Sequence, residues 1–213
     1  MSGAQTTVGT WNVVVSGTVF GHATPQFTGG SLSFPNVREG YAAAVVSEGT
    51  VLGNAVGVRV ALRSGSASAG GVSVGALSGV SAGGTGVVSG VLAPGRLAGP
   101  LDQSVVVSFA DDSVLPGASG ALGSGTVRFV GGVYRLASGS LLVGGTGLVN
   151  GATLTLAPIR AGGSFALGAL EVRNVASGTD GYSERLNAAF TAGGSLASGS
   201  GSVSQLAAGT GVA

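Results

Sequence analysis

The sequence predicts an all-β fold of antiparallel β-sandwiches, and three features of its composition and pattern support this prediction. Glycine accounts for 43 of the 213 residues, which argues against helices because glycine is costly in a helix interior. Over several short stretches, apolar side chains alternate with polar ones, as they do in half-buried strands. Turn-forming Gly, Ser, Asp and Pro residues separate these stretches, which is typical of a sandwich or barrel.

The alternation is clearest in four stretches, at 11–19, 58–63, 104–109 and 170–173. Residues 183–190 include good helix formers, but Leu186, Ala188 and Phe190 also fit a period of two, so we expect a strand there. Two segments rich in Gly, Ser and Ala have the composition of linkers but keep sparse apolar residues. We therefore predict thin strands joined by wide turns in both of them, at 64–86 and 191–211.

Charge and cysteine content exclude several classes of protein. Nine arginines and no lysine stand against eight acidic residues, which leaves a net charge of +1 and no basic face for nucleic acid. The absence of cysteine excludes disulfides and thiolate metal sites. Apolar stretches such as 41–46 are far too short to span a bilayer, and the first ten residues do not resemble a signal peptide. We expect any export signal or anchor to lie outside this segment.

An internal repeat organises the chain. The string at 13–23 resembles the one at 127–137, 32–40 resembles 167–175, and 75–87 resembles 201–212. The three pairs occur in the same order with a period of about 115–135 residues, which suits one sandwich domain with variable loops.

Four strings also resemble a known family: LSFPNVREG at 32–40, GGVYRLA at 131–137, DGYSERLNAAF at 180–190 and GSVSQLAAGTG at 201–211. They are similar to the repeats of bacterial choice-of-anchor D proteins, which are long surface or secreted proteins with immunoglobulin-like domains of the abnormal-spindle and Hydin type. The resemblance implies tandem immunoglobulin-like sandwiches, of which the last is incomplete here. It implies no activity and no binding residues.

This frame divides the chain into three parts. Residues 1–23 are predicted to be the closing strand of a preceding or exchanged repeat, 24–137 a complete sandwich, and 138–213 a truncated second sandwich. Truncation from a longer array explains the division most simply. In the alternative, strand exchange, the N-terminal strand of one chain completes the open sandwich of the next. The candidate residues for exchange are Thr10, Trp11, Val13, Val15 and Val19.

Few residues in the sequence suggest chemistry. His22 is the single histidine, and a solvated loop position is expected for it rather than a place in a Ser-His-Asp triad. Asp102, Asp111 and Asp112 are weak candidates for a calcium site, as are Asp180 and Glu184, but acidic turns more often simply end strands. The GGTG strings at 83–86 and 144–147 are interpreted as turns, because a phosphate-binding P-loop needs a lysine.

The leading hypothesis is therefore a non-enzymatic structural or adhesive repeat module of a secreted or cell-surface bacterial protein. Its partners are expected to be neighbouring repeats of the same or an identical chain, with no nucleic acid, no cofactor and no membrane span in this segment. The alternative is a ligand-binding module that takes calcium or carbohydrate through acidic turns or exposed aromatic side chains.

Overall fold

The computed structural model describes residues 3, 9–153, 155, 157–163, 170–178, 180–191 and 200–213. Their regular structure consists of strands joined by turns, so the all-β prediction is confirmed. In this described part of the chain, no helix is long and apolar enough to cross a membrane. The strands are β1 (Pro25–Phe27), β2 (Gly30–Ser33), β3 (Val37–Arg38), β4 (Val45–Asn54), β5 (Ala61–Ser64), β6 (Ala67–Ala69), β7 (Val72–Val74), β8 (Leu77–Val80), β9 (Thr85–Leu92), β10 (Gly99–Asp112), β11 (Ser124–Tyr134), β12 (Gly139–Val143), β13 (Thr146–Leu148), β14 (Leu170–Asn174), β15 (Leu186–Thr191), β16 (Ser200–Leu206) and β17 (Gly211–Val212).

The first eleven strands form a β-sandwich of two sheets. One sheet has the order β1-β4-β9-β7-β6, and the other has the order β2-β11-β10-β5-β8 with β3 also beside β11. Their facing sides enclose Leu52 and Val88 from one sheet and Leu62, Val107 and Phe129 from the other, all within 1% of complete burial. Burying each such side chain contributes about 1.5–3 kcal/mol, so this core is the main source of stability.

The sandwich departs from the predicted antiparallel pattern at one place, because β2 and β3 run parallel to β11. The chain leaves β1 in the first sheet and enters β2 in the second sheet after a two-residue turn, which sets the direction of β2. Gly29 in this turn has φ +60°, and a Cβ built on it would lie 2.8 Å from the Thr126 carbonyl oxygen. Only glycine fits this crossing without displacing the backbone.

The remaining strands form a four-stranded sheet, β13-β12-β14-β17, and the two-stranded sheet β15-β16. A strand at Leu186–Thr191 confirms the strand prediction for that region over the helical one. Segment 64–86 forms thin strands as predicted, and the described residues of segment 191–211 include the strand β16. We call the strands of residues 25–134 the first unit and those of 139–212 the second unit. The domain boundaries at 23/24 and 137/138 stay predictions.

The predicted strand at 11–19 is not formed, which corrects the sequence-based expectation. Residues 9–20 have no strand structure, and the first pairing is an isolated parallel bridge between Gly21 and Arg59. A strand needs a neighbour for its backbone N–H and C=O groups, and the described residues place none beside this segment. Apolar alternation alone could not reveal that lack.

Candidate functional site

A buried asparagine joins four parts of the first unit. Asn54, at the end of β4, is 1% exposed, and its Oδ1 accepts a hydrogen bond of 3.0 Å from the Thr24 amide. Its Nδ2 donates to the carbonyl oxygens of Val60 and Val80 at 3.0 and 3.1 Å. All the polar atoms of this side chain are therefore satisfied, and removing it would leave buried groups without partners.

The second unit contains the same arrangement. Asn174 is completely buried at the end of β14; its Oδ1 accepts from the Ser138 amide, and its Nδ2 donates to the carbonyls of Glu184 and Leu206. Thr24 and Ser138 lie 114 positions apart, Asn54 and Asn174 lie 120 apart, and Val80 and Leu206 lie 126 apart. We call residues that occupy the same hydrogen-bond position in the two units counterparts.

Backbone hydrogen bonds repeat in the same way where the chain enters each unit. The Gly21 amide donates to Val58 O, and the Gly21 carbonyl accepts from the Val60 amide. At the second unit Arg135 replaces Gly21, with Tyr182 and Glu184 as its partners. Gly21 and Arg135 are therefore counterparts, 114 positions apart.

These counterparts correct one pairing made from the sequence. The string at 32–40 does not correspond to 167–175, because Asn174 corresponds to Asn54, and Val172 pairs with Val212 as Leu52 pairs with Gly86. The two asparagines were missed by sequence reasoning. A signal existed: the 75–87 and 201–212 strings differ by 126 positions, and that shift places Asn54 within six residues of Asn174.

Side chains of the two units meet at a seam. The rings of Tyr134, which ends β11, and Tyr182 have centroids 5.5 Å apart. Arg38 on β3 places its Nε 2.6 Å from Oε1 of Glu184. Arg135 contacts the Asp180 carboxylate at 2.8 Å, and its guanidinium, hydrogen-bonded to that carboxylate, holds the pKa of Asp180 below its ordinary value. Asp180 and Glu184 were weak candidates for a calcium site, and each of them instead forms an ion pair with an arginine.

The acidic residues of the first unit do not converge either. Asp102 lies on the outer face of β10, where the hydrogen-bonded Arg128 guanidinium 2.7 Å away lowers the Asp102 pKa. Asp111 lies nine positions further along the same strand, which is roughly 30 Å away. Asp112 accepts a hydrogen bond from the Gly79 amide. No cluster of three or more His, Asp or Glu side chains suited to a metal ion occurs within the ranges that the structure describes.

Asp111 is instead the buried partner of His22. Its side chain is inaccessible to solvent, and its Oδ2 lies 2.7 Å from the His22 Nδ1. The amides of Ala23 and Ser119 donate to the same carboxylate at 2.8 and 2.7 Å. Burial alone would raise the Asp111 pKa, but the hydrogen bonds from Ser119, His22 and Ala23 together hold it below its ordinary value.

His22 is 60% exposed, as a loop residue, yet its ring is oriented by this buried carboxylate. In the described part of the chain Asp111 is the hydrogen-bond partner of the ring, and no serine hydroxyl completes a Ser-His-Asp set there. The pair borders an open cavity of about 290 Å³ that Phe20, Val60 and Pro116 also line. The hydrogen bonds of Asp111 to His22 and to the Ala23 amide hold the chain where it enters the first unit.

All five strand-exchange candidates are exposed. Trp11 is 87% exposed, and Val13, Val15 and Val19 are between 80% and 91% exposed. Thr10 is exposed beside them. Such a row of apolar side chains in water is unusual for a monomeric protein.

Comparisons with known proteins give a distant structural likeness. No family model matches the chain, and no curated protein matches it. The chain is similar to a protein of unknown function from Porphyromonas gingivalis W83, known from a crystal structure, at 18% identity and a TM-score of 0.39. That match covers 79% of this chain and 71% of the other.

Proposed function

We propose that this chain is a non-enzymatic structural repeat module of a secreted or cell-surface bacterial protein, in which sandwich units are joined end to end. One observation carries the proposal: the chain enters both units through the same hydrogen bonds, at Gly21 and at Arg135. The buried asparagines Asn54 and Asn174 support it, because each ties its unit's entry to three other segments. Repeating such a junction extends a protein without changing the unit.

The strand that connects the units suits this role. β11 pairs with β10 at ten consecutive positions, from Gly99↔Val133 to Ser108↔Ser124, before the chain reaches Arg135. The hydrogen bonds of an antiparallel ladder run perpendicular to the strands, so tension along β11 loads many of them together. A unit held in this way resists extension better than one unzipped a bond at a time.

The seam sets how one unit follows the next. Two contacts join the units near the connecting residue, Arg135. The Tyr134 ring packs against the Tyr182 ring, and the Arg38 guanidinium pairs with the Glu184 carboxylate. The adhesive part of the proposal rests on the exposed apolar residues near the N-terminus, among them Trp11 and Phe20. Both parts depend on surfaces and backbone edges.

Small-angle X-ray scattering tests the proposal through the seam. The double variant Arg38→Ser/Tyr182→Ser removes the ion pair and the ring contact, so we expect a larger radius of gyration and a broader distance distribution. Arg128→Ser is the matched control, because it removes an exposed ion pair with Asp102 within one unit. The control should scatter like the unaltered chain.

Two results would contradict the proposal. The first is a seam variant whose scattering is unchanged, since the spacing of the units would then not depend on these contacts. The second is a saturable rise in melting temperature with calcium or an oligosaccharide, which would favour the ligand-binding module instead.

A further inference from the structure

The two rings that meet at the seam both belong to tyrosines. Tyr134 ends β11 of the first unit, and Tyr182 lies just before β15 of the second unit. Their ring centroids are 5.5 Å apart, and the ring planes are tilted by 45°. The Arg135 amide donates to the Tyr182 carbonyl at 2.9 Å, and the Glu184 amide donates to the Arg135 carbonyl at 2.9 Å. Backbone hydrogen bonds therefore hold the two rings beside each other.

Gly132 allows one edge of each ring to approach the other. A Cβ built on Gly132 would lie 2.8 Å from Cε2 of Tyr134 and 3.1 Å from Cε1 of Tyr182. Both of these carbons are adjacent to the ring carbon that carries the hydroxyl. Gly132 is buried in β11, opposite Pro100 of β10. The two carbons thus converge on a point that is free because this residue has no side chain, and a larger residue would displace at least one ring.

The ring carbons next to the hydroxyl are the positions at which two oxidised tyrosines join. One-electron oxidation of a phenol removes an electron and the hydroxyl proton, and it leaves a radical shared between the oxygen and these carbons. Two such radicals combine by forming a carbon–carbon bond. Each bonded carbon then gives up its hydrogen as a proton, and each oxygen regains a proton. The product is dityrosine.

Access and composition also favour this reaction at the seam. Tyr134 and Tyr182 are both half-buried, so a part of each ring stays within reach of an oxidant. The chain contains no cysteine, whose thiol would reduce a tyrosyl radical. Tyr41, the third tyrosine, is also half-buried, but its hydroxyl donates to the Ala93 carbonyl, and in the described part of the chain its ring has no aromatic partner.

The phenols are not needed for the entry hydrogen bonds themselves. At the entry of the first unit, Phe20 and Val58 are the counterparts of Tyr134 and Tyr182, and the same backbone bonds form there. Neither phenylalanine nor valine can give a phenoxyl radical. A pair of phenols is therefore a property of the seam between the two units and not of every entry.

We propose that Tyr134 and Tyr182 are a site of oxidative cross-linking, in which a bond between Cε2 of Tyr134 and Cε1 of Tyr182 fixes the seam. The oxidant is of the class of hydrogen peroxide acting through a haem peroxidase. One peroxide takes up the two electrons and two protons that the tyrosines lose and becomes two molecules of water. The cross-link fixes the spacing of the units covalently; this role rests on the proposed function, whereas the reaction rests on the geometry of the rings.

Oxidation of the folded 213-residue chain by a haem peroxidase and hydrogen peroxide, at low protein concentration, tests the site. We expect the blue fluorescence of dityrosine in a product that is still a single chain and is lighter by two hydrogens. Trypsin cleaves after arginine, so Tyr134 lies in the peptide 129–135 and Tyr182 in the peptide 174–185. Mass spectrometry should find these two peptides joined.

Two tyrosine variants and one glycine variant make the test specific. Tyr182→Phe keeps the ring but lacks the hydroxyl, so it should abolish the joined peptides and the fluorescence. Tyr41→Phe is the matched control and should give the same yield as the unaltered chain. Gly132→Ala should lower the yield, because its methyl group occupies the point at which the two ring carbons converge. Circular dichroism identical to that of the unaltered chain shows that each variant is folded.

The proposal is overturned if the unaltered chain forms no dityrosine under conditions that couple free N-acetyltyrosine, or if Tyr182→Phe and Tyr41→Phe give equal yields. Such a result leaves the structural-repeat function standing, because the scattering test of the seam is made without oxidant. Unchanged scattering of the seam variant would instead contradict that function without affecting the cross-link of the unaltered chain.

Discussion

Buried polar side chains hold the chain wherever it enters a unit. The Ala23 amide donates to Asp111 and the adjacent Thr24 amide donates to Asn54, so two successive backbone groups are fixed by different strands. Ser138 is bound by Asn174 in the same way. Each acceptor is nearly or completely inaccessible to solvent, where an unsatisfied donor costs about 1–3 kcal/mol. Single residues therefore determine the geometry of the junctions.

The stabilisation by Asp111 is predicted to depend on pH. Its pKa in the folded chain is lowered, so it stabilises the fold above its unfolded pKa of about 3.9, and this contribution is lost as pH falls through the folded pKa. We expect Asp111→Asn to have a lower free energy of unfolding than the unaltered chain at pH 7. The difference between the two free energies should shrink as the pH falls from about 5 to about 2. Urea unfolding at a series of pH values measures this.

Asp112→Asn is the control for this series, because the Asp112 carboxylate is partly exposed and accepts a single amide hydrogen bond, from Gly79. The explanation fails if both variants lose the same free energy, or if the gap between Asp111→Asn and the unaltered chain widens toward acid.

At the scale of elements, strands were predictable where alternation and a partner coincide. The stretch at 104–109 lies within β10, between β11 and β5, as its valines indicate. The stretch at 11–19 alternates equally well but forms no strand, because pairing depends on residues far away in sequence. The junction contacts were invisible for the same reason, since His22 and Asp111 are 89 positions apart. Turn chemistry likewise gave no sign that β2 and β3 run parallel to β11.

Replacing either buried asparagine is predicted to destabilise the unit that contains it. Asn54→Ala leaves the Thr24 amide and two carbonyls without a partner, and Asn174→Ala leaves the Ser138 and Ala176 amides and two carbonyls without one. We therefore expect each substitution to cost about 2–4 kcal/mol in its own unit. Hydrogen exchange of β4 in the first case and β14 in the second locates the loss. Asn36→Ala, at an exposed position, should change stability by less than about 0.5 kcal/mol. Equal losses in both units from either variant would contradict the account.

At the scale of the whole molecule, the entry bonds and the seam join the two units into a repeating unit-to-unit contact. The sequence indicates a period of about 115–135 residues, and the counterparts lie 114 to 126 positions apart. The offset grows along the chain, which means that the second unit carries extra residues in its loops. Sequence strings could indicate the order of the repeat, but side-chain hydrogen bonds were needed to set its alignment.

Residue-resolved amide hydrogen exchange on a dilute sample tests whether both units are held by the same hydrogen bonds while residues 10–20 stay unpaired. We predict slow exchange at Ala55 and at its counterpart Val175, whose amides donate to Thr24 and Ser138. Residues 10–20 should exchange at the rate of an unstructured chain. Rapid exchange at Val175, or protection of residues 10–20 in a single chain, would contradict the claim.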